Sequence, residues 1–157
     1  MNFLILGTEI PDYSHPVLLK YNPQENAARP LTEDEKIMKA VKMLQSNSYA
    51  SDLEKLRLYY KEKLQRLQVV YNEYLSKYGV FNMPSGGLGA WIKLNQDQHI
   101  SPILAPLAEI GIYQPNDNPQ LDTKLPIVGI RAGFGSPDIE TYEKAFGLLA
   151  AQFKTVK

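Results

Sequence analysis

Cysteine is absent from the 157 residues, which excludes disulfides, thiolate nucleophiles and every cysteine-based metal site. Histidine is almost as scarce: His15 and His99 are the two present. They stand far apart with no second ligand at a useful spacing, so no metal site is expected. Charge of either sign is not in excess, since 17 Lys and Arg balance 17 Asp and Glu. Without a positive field the chain itself is not expected to bind DNA. Hydrophobic runs are short, none approaching the roughly 18 residues of a membrane span. The apolar opening Met1 to Leu6 lacks the basic start and the length of a signal peptide. A cytoplasmic protein without membrane contact is the expectation. No G-x-G-x-x-G opens a helix and no G-x-x-x-x-G-K-[ST] occurs, so a nucleotide loop is not indicated.

What is there supports one sizeable core, with 44% hydrophobic residues in a chain of this length. Residues 1–30 form a proline-bearing irregular segment in which 3–6 and 17–21 are candidate short strands. Thr32 and Glu35 make a T-x-x-E capping box ahead of Ile37, Met38, Val41 and Leu44, which predicts a helix from about Glu33 to Gln45. Ser51 and Glu54 repeat that pattern before Leu53, Leu56, Tyr60, Leu64, Leu67, Tyr71, Tyr74 and Tyr78. The stripe predicts a helix of roughly 40 Å that reaches the 77–79 region and stops at Gly79. Such a rod outreaches a small core: either its apolar strip is exposed and contacts another domain or subunit, or it is an ordinary long surface helix with an apolar stripe.

From Leu88 to Leu94 the pattern turns to period two, with Leu88, Ala90, Ile92 and Leu94 on one face and Gly89, Trp91 and Lys93 on the other. Ser101-Pro102 predicts the start of a short helix ended by Gly111, followed by a short strand at Ile112 and Tyr113. Ile127 to Phe134 is a second clear strand. Ser136-Pro137 is expected to cap a last helix carrying Ile139, Tyr142, Phe146, Leu149 and Phe153 on its buried side. The sum is an α+β fold, a small, mostly antiparallel sheet covered by helices with a long bracing helix.

Arg131 is the most informative polar residue. On its strand Val128, Ile130, Ala132 and Phe134 point one way, while Arg131 shares the opposite face with Gly129 and Gly133. A guanidinium bordered by glycines has room for a planar carboxylate, held through two parallel charge-assisted hydrogen bonds. The alternative is a salt bridge to an Asp or Glu at the sheet surface. Gly86, Gly87 and Gly89 at the entrance to the first strand give the chain a turn, or let another body approach the backbone closely.

The run Tyr49 to Tyr78, the strand opening "PSGGLGAWIKL" and the ending "GIRAGFGSPDIETYEKAFGLLAAQF" resemble the C-terminal part of fold-type-I pyridoxal-phosphate aminotransferases. The nearest variety is the aminotransferase-like body of the MocR-type regulators in the GntR superclass. The resemblance covers roughly residues 35 to 157 and makes residues 31–157 an aminotransferase-like small domain. It implies that Arg131 binds the carboxylate of an amino-acid-like ligand, with Gly87, Gly89, Gly129 and Gly133 as possible lining.

Two departures from the family pattern stand out. Where the family commonly has an aromatic residue or histidine after G-G-L, this chain has Gly89. No S-x-x-K segment corresponds to the family's cofactor lysine, so the isolated chain is expected to have no catalytic residue and to bind no cofactor, pyridoxal phosphate being implied for the parent protein. The implied partners are a large domain outside this chain and a second copy in a homodimer, with DNA reached only through a separate N-terminal domain. A ligand-sensing domain of a transcriptional regulator is the leading expectation. The small domain of an active aminotransferase and a stand-alone, non-catalytic interaction module are the alternatives.

Overall fold

The computed structural model describes residues 3–6, 32–112, 124–135 and 138–155. The chain divides into two compact units, Met1–Pro11 with Glu62–Lys157, and Asp12–Lys61. The expected strand at 17–21 lies outside the described residues, as do Tyr113 and the Ser136-Pro137 pair.

In the smaller unit, helix α1 (Glu33–Leu44) begins at the expected capping box. The Thr32 hydroxyl accepts from the Glu35 amide at 3.3 Å, and the Glu35 carboxylate accepts from the Thr32 amide at 2.8 Å. Each satisfies a donor that the first helical turn leaves over. Gln45 is the C-cap, and Ile37, Met38, Val41 and Leu44 stay exposed, so none of the helix is buried. Helix α2 (Tyr49–Tyr74) starts two residues before the expected Ser51. Its entry is held by Ser46 and Ser48 instead: the Ser48 amide donates to the Ser46 hydroxyl at 3.3 Å, and the Asp52 amide to the Ser48 carbonyl at 2.8 Å.

The larger unit holds a four-stranded sheet in the order β1-β4-β3-β2, built from β1 (Phe3–Leu6), β2 (Gly79–Asn82), β3 (Gly89–Gln98) and β4 (Ile127–Gly133). β2 and β3 form an antiparallel hairpin, β3 and β4 are antiparallel, and β1 runs parallel to β4. The sheet is therefore mixed, with antiparallel pairs in the majority. β2 is not among the expected strands. Gly79, expected to stop the helix, instead opens a strand, because α2 ends at Tyr74 and tight turns through Tyr78 reverse the chain.

Period two places Leu4, Leu6, Ala90, Ile92, Leu94, Ile130 and Ala132 on one buried face. The C-terminal half of α2 and the last helix, α4 (Ile139–Thr155), pack over it. Leu67, Val70 and Tyr71 are buried from the first, with Leu75 in the turn just after it, and Tyr142, Phe146, Leu149 and Phe153 from the second. Each of the larger side chains contributes about 1.5–3 kcal/mol by leaving water. Two phenols tie the layers together: Tyr71 donates to the Gly79 carbonyl at 2.6 Å, and Tyr142 to the Gly133 carbonyl. The expected exposed strip on α2 is thus corrected at Leu67 and Tyr71, while Leu53, Leu56, Tyr60, Leu64 and Tyr74 keep intermediate exposure. Leu67 and Tyr71 are core, and the large apolar residues this helix exposes, Leu58 and Val69, lie off that stripe.

Between β3 and β4 the chain makes a 3-10 turn (Ser101–Ile103) and a short helix α3 (Leu104–Glu109). Ser101 makes no cap, because the turn begins one residue after Ile100, whose side chain has no capping atom. Gly111 ends α3 with φ +79°, and the Gly111 amide donates to the Ala108 carbonyl at 3.0 Å while the Ile112 amide donates to Leu107 at 2.9 Å. That pairing is a Schellman ending, which only glycine enters without strain. It uses the Ile112 amide and leaves Ile112 outside any strand.

At the start of α4 the capping side chain is Asp138, whose carboxylate accepts from the Thr141 amide at 2.7 Å. Hydrogen bonds from Thr141 hold the Asp138 carboxyl below the usual carboxylate range. Its contribution is therefore present above the unfolded-state value near pH 4 and is lost as pH falls through the lowered one. Asp138→Ala is expected to cost about 0.5–2 kcal/mol at neutral pH and progressively less as pH falls through the lowered value and the wild-type carboxyl takes up its proton. Thermal melts of both proteins from neutral pH into acid check this, and a cost that does not shrink as pH falls would contradict the cap. Among the described residues no helix is long and apolar enough to cross a membrane.

A candidate carboxylate-binding face

The second face of the sheet carries Ile5, Val80, Asn82, Gly89, Trp91, Lys93, Gly129, Arg131 and Gly133, brought level by the strand register. None of these is acidic. Arg131 stands on β4, an inner strand, directly opposite Trp91 of β3 and beside Ile5 of β1. Its side chain is exposed while its neighbours Ile130 and Ala132 are fully buried on the far face. Among the described residues no ion pair engages its guanidinium.

The structure puts two of the four candidate glycines in contact with large side chains of this face. A Cβ on Gly129 would fall 2.3 Å from Cζ2 and 2.7 Å from Cη2 of Trp91, so the benzo edge of the indole occupies the space where Gly129 lacks a side chain. A Cβ on Gly89 would meet the Arg131 guanidinium at 3.3 Å. The other two have different surroundings. A Cβ on Gly133 would lie 3.3 Å from the Leu6 carbonyl oxygen, and Gly87 takes φ +81° with open space around its Cβ direction, as a turn residue does. Trp91 is not among the site residues expected from the sequence. Its parity with Arg131, and its being the single tryptophan, are the signals that mark it.

Tyr142 supports this strand from behind, through its bond to the Gly133 carbonyl. Burial drives its phenol pKa far above the ordinary value, while the positive charge of Arg131 acts in the opposite direction. A phenol raised in the folded state stabilises the fold fully below its unfolded value near pH 10, and that contribution is lost as pH rises further. Tyr142→Phe is expected to cost about 1–3 kcal/mol at neutral pH by leaving the Gly133 carbonyl unsatisfied. The same variant should lose less stability than the wild type between pH ~9 and ~12. Denaturant titrations across that range test both parts.

Comparison of the sequence with protein-family models and with curated proteins gives no match. Solved structures do match. LysN, an α-aminoadipate aminotransferase from Thermus thermophilus complexed with N-(5'-phosphopyridoxyl)-L-leucine, aligns with a TM-score of 0.57 at 18% identity, over 77% of this chain and 31% of that one. The multiple substrate aminotransferase of Thermococcus profundus gives 0.57 at 16% identity, over 74% of this chain and 29% of that one. The chain thus spans about a third of the length of these enzymes. The likeness is one of fold: an α+β, aminotransferase small-domain-like architecture.

Pyridoxal phosphate, implied by that fold family, does not fit the described residues. It needs a lysine amine for its aldehyde and an acid at its ring nitrogen. Among the described residues level with Arg131 on this face there is no acid, and the lysine there, Lys93, is exposed. Lys63 is the buried lysine among the described residues, but its amine donates to the Gly135 carbonyl at 3.4 Å. What the face can do is hold an anion against an exposed guanidinium near an indole.

Proposed function

We propose that this chain is the ligand-sensing small domain of an aminotransferase-like transcriptional regulator of the MocR type, in which Arg131 binds the carboxylate of an amino-acid-like ligand. The observation that carries the reading is the exposed Arg131 guanidinium on an inner strand, with Ile5, Gly89, Trp91, Gly129 and Gly133 as its described neighbours on that face and Gly89 beneath it. A planar guanidinium recognises a carboxylate through two parallel hydrogen bonds, which a lysine cannot reproduce. In this reading the rest of the aminotransferase body, with its cofactor and lysine, lies outside the chain. DNA is contacted by a separate N-terminal domain, and the parent protein is a cytoplasmic homodimer.

The enzymes to which the fold is similar favour a second reading, the small domain of an active aminotransferase. Both share the same carboxylate capture and differ in what the parent does with it. The capture is tested by titrating the chain with amino acids and 2-oxo acids while following the emission of Trp91, the directly opposed neighbour of Arg131. A saturable change lost in Arg131→Ala is expected, and no response to any of them would remove the reading. The two parents are then separated by the reading frame around the gene and by the parent protein's behaviour. A winged helix-turn-helix with ligand-dependent DNA retention supports the regulator, and turnover of an amino acid by the parent supports the enzyme.

A further inference from the structure

A second cation shares the sheet face of Arg131. Lys93 stands on β3 two residues from Trp91, with the same parity, and its side chain is exposed. Its directly opposed neighbours are Val80 on β2 and Gly129 on β4, neither of which carries a charge. Among the described residues no ion pair engages its ammonium. Lysine is depleted in strands, and one use that favours it there, the protection of a sheet edge, does not apply to β3, an inner strand.

The register sets the distance between the two cations. The Arg131 guanidinium lies against Gly89, in the row where Gly89 faces Gly133, and Lys93 rises from the row where it faces Gly129. Four residues of strand separate those rows, about 14 Å at ~3.4 Å per residue. That exceeds the roughly 8 Å screening length of physiological salt, so the two charges repel one another little. Between them is Trp91, and because Gly129 has no side chain the benzo edge of the indole comes into contact with the strand there. The face thus has an apolar middle and two positive ends.

A ligand with one carboxylate engages one of these ends. A ligand with a second acidic group beyond an aliphatic stretch engages both, with its carbon chain over the indole. The ends differ in kind. The guanidinium offers a planar fork for one carboxylate, whereas the ammonium is a point charge on a flexible four-carbon stem that follows a distal acid whose position varies. We infer that Lys93 is a specificity-determining residue of this face, and that the ligand is an amino-acid-like dicarboxylate with its first carboxylate on Arg131 and its distal acid at Lys93. The inference rests on the carboxylate reading of Arg131 above and adds a second anionic group to the ligand.

L-Glutamate and L-glutamine are close in size and carry the same amine, but differ by one distal charge. Titrated into the whole chain by calorimetry, with Trp91 emission followed in parallel, glutamate is expected to bind roughly three- to tenfold more tightly. In Lys93→Gln that ratio is expected to fall to about one, and in Lys93→Arg to be retained. Lys154→Gln removes an exposed lysine of α4, outside this face, and should leave the ratio as in the wild type. All three variants change exposed residues and should keep the fold, which their melts verify. An unchanged ratio in Lys93→Gln overturns the inference and makes Lys93 an ordinary solvated lysine. An equal fall in Lys154→Gln also defeats it, because the preference would then be one of net charge. Binding of both amino acids without preference, abolished by Arg131→Ala, sinks the inference and keeps the carboxylate reading. Binding of neither, or binding indifferent to Arg131→Ala, sinks both.

Discussion

Arg131→Ala is expected to remove the response of the chain to carboxylate ligands while leaving its melting temperature nearly unchanged. The side chain is exposed, and among the described residues no ion pair engages it, so little of the fold depends on it. Surface substitutions of this kind stay within about 0.5 kcal/mol. Binding is different, because hydrogen bonds to a charged group contribute about 1.5–3 kcal/mol, equivalent to a roughly ten- to hundredfold loss of affinity. In a parent protein whose other domain closes over this face, water is excluded and the loss rises to about 2–5 kcal/mol. Arg131→Lys keeps the charge and loses the fork, so it should fall between wild type and alanine. Calorimetric titration of the three proteins measures the order. Equal affinities in the wild type and the folded alanine variant would leave Arg131 as a surface residue.

The largest expected effects on stability are at two glycines where strands and side chains approach too closely for a Cβ. At Gly79 a Cβ would fall 2.5 Å from the Lys93 carbonyl oxygen, a backbone atom of the paired strand that cannot swing aside. Gly79→Ala must therefore pull β2 from β3 and strain the Tyr71 bond to the Gly79 carbonyl. A loss of about 3 kcal/mol is expected, or on the order of 10 °C in melting temperature for a domain of this size. At Gly129 the nearest obstacle is the Trp91 ring, and the Ile92 carbonyl follows at 3.0 Å. Gly129→Ala should cost about 2 kcal/mol, and part of that should be recovered in the Trp91→Ala background, where the ring is gone. No such rescue is available at Gly79, because its obstacle is backbone. Thermal and denaturant unfolding of the single and double variants checks the order. Equal costs for Gly129→Ala with and without Trp91 would disprove the contact.

Features that depend on local chemistry are legible in the order of residues alone. The T-x-x-E box at Thr32, the left-handed ending at Gly111, the buried stripe of Ile139, Tyr142, Phe146, Leu149 and Phe153, and the alternation that leaves Arg131 opposite to Ile130 and Ala132 are all present. Each is set within one helical turn or a few residues of strand, where side-chain periodicity and backbone donors act directly. Where several local candidates competed, the choice was made elsewhere. Ser46 and Ser48 hold the entry of α2 in place of Ser51, and Asp138 accepts from the Thr141 amide at the start of α4.

What pairs with what was settled by long-range packing. β1 joins the sheet parallel to β4 although the chain from Leu6 to Ile127 lies between them, and no local pattern specifies such a partner. Gly79 could end a helix or open a strand. Pairing with Leu94 made it a strand. The stripe on α2 was legible as apolar, but whether it met its own sheet or another body depended on Leu67 and Tyr71 finding the core. At the candidate site, parity alone placed Arg131, Trp91, Gly89 and Gly129 on one face. That Arg131 lies on Gly89 and Trp91 on Gly129 follows from the register of β3 against β4, and a slip of one residue would have put the side chains of one strand on the face opposite to those of the other.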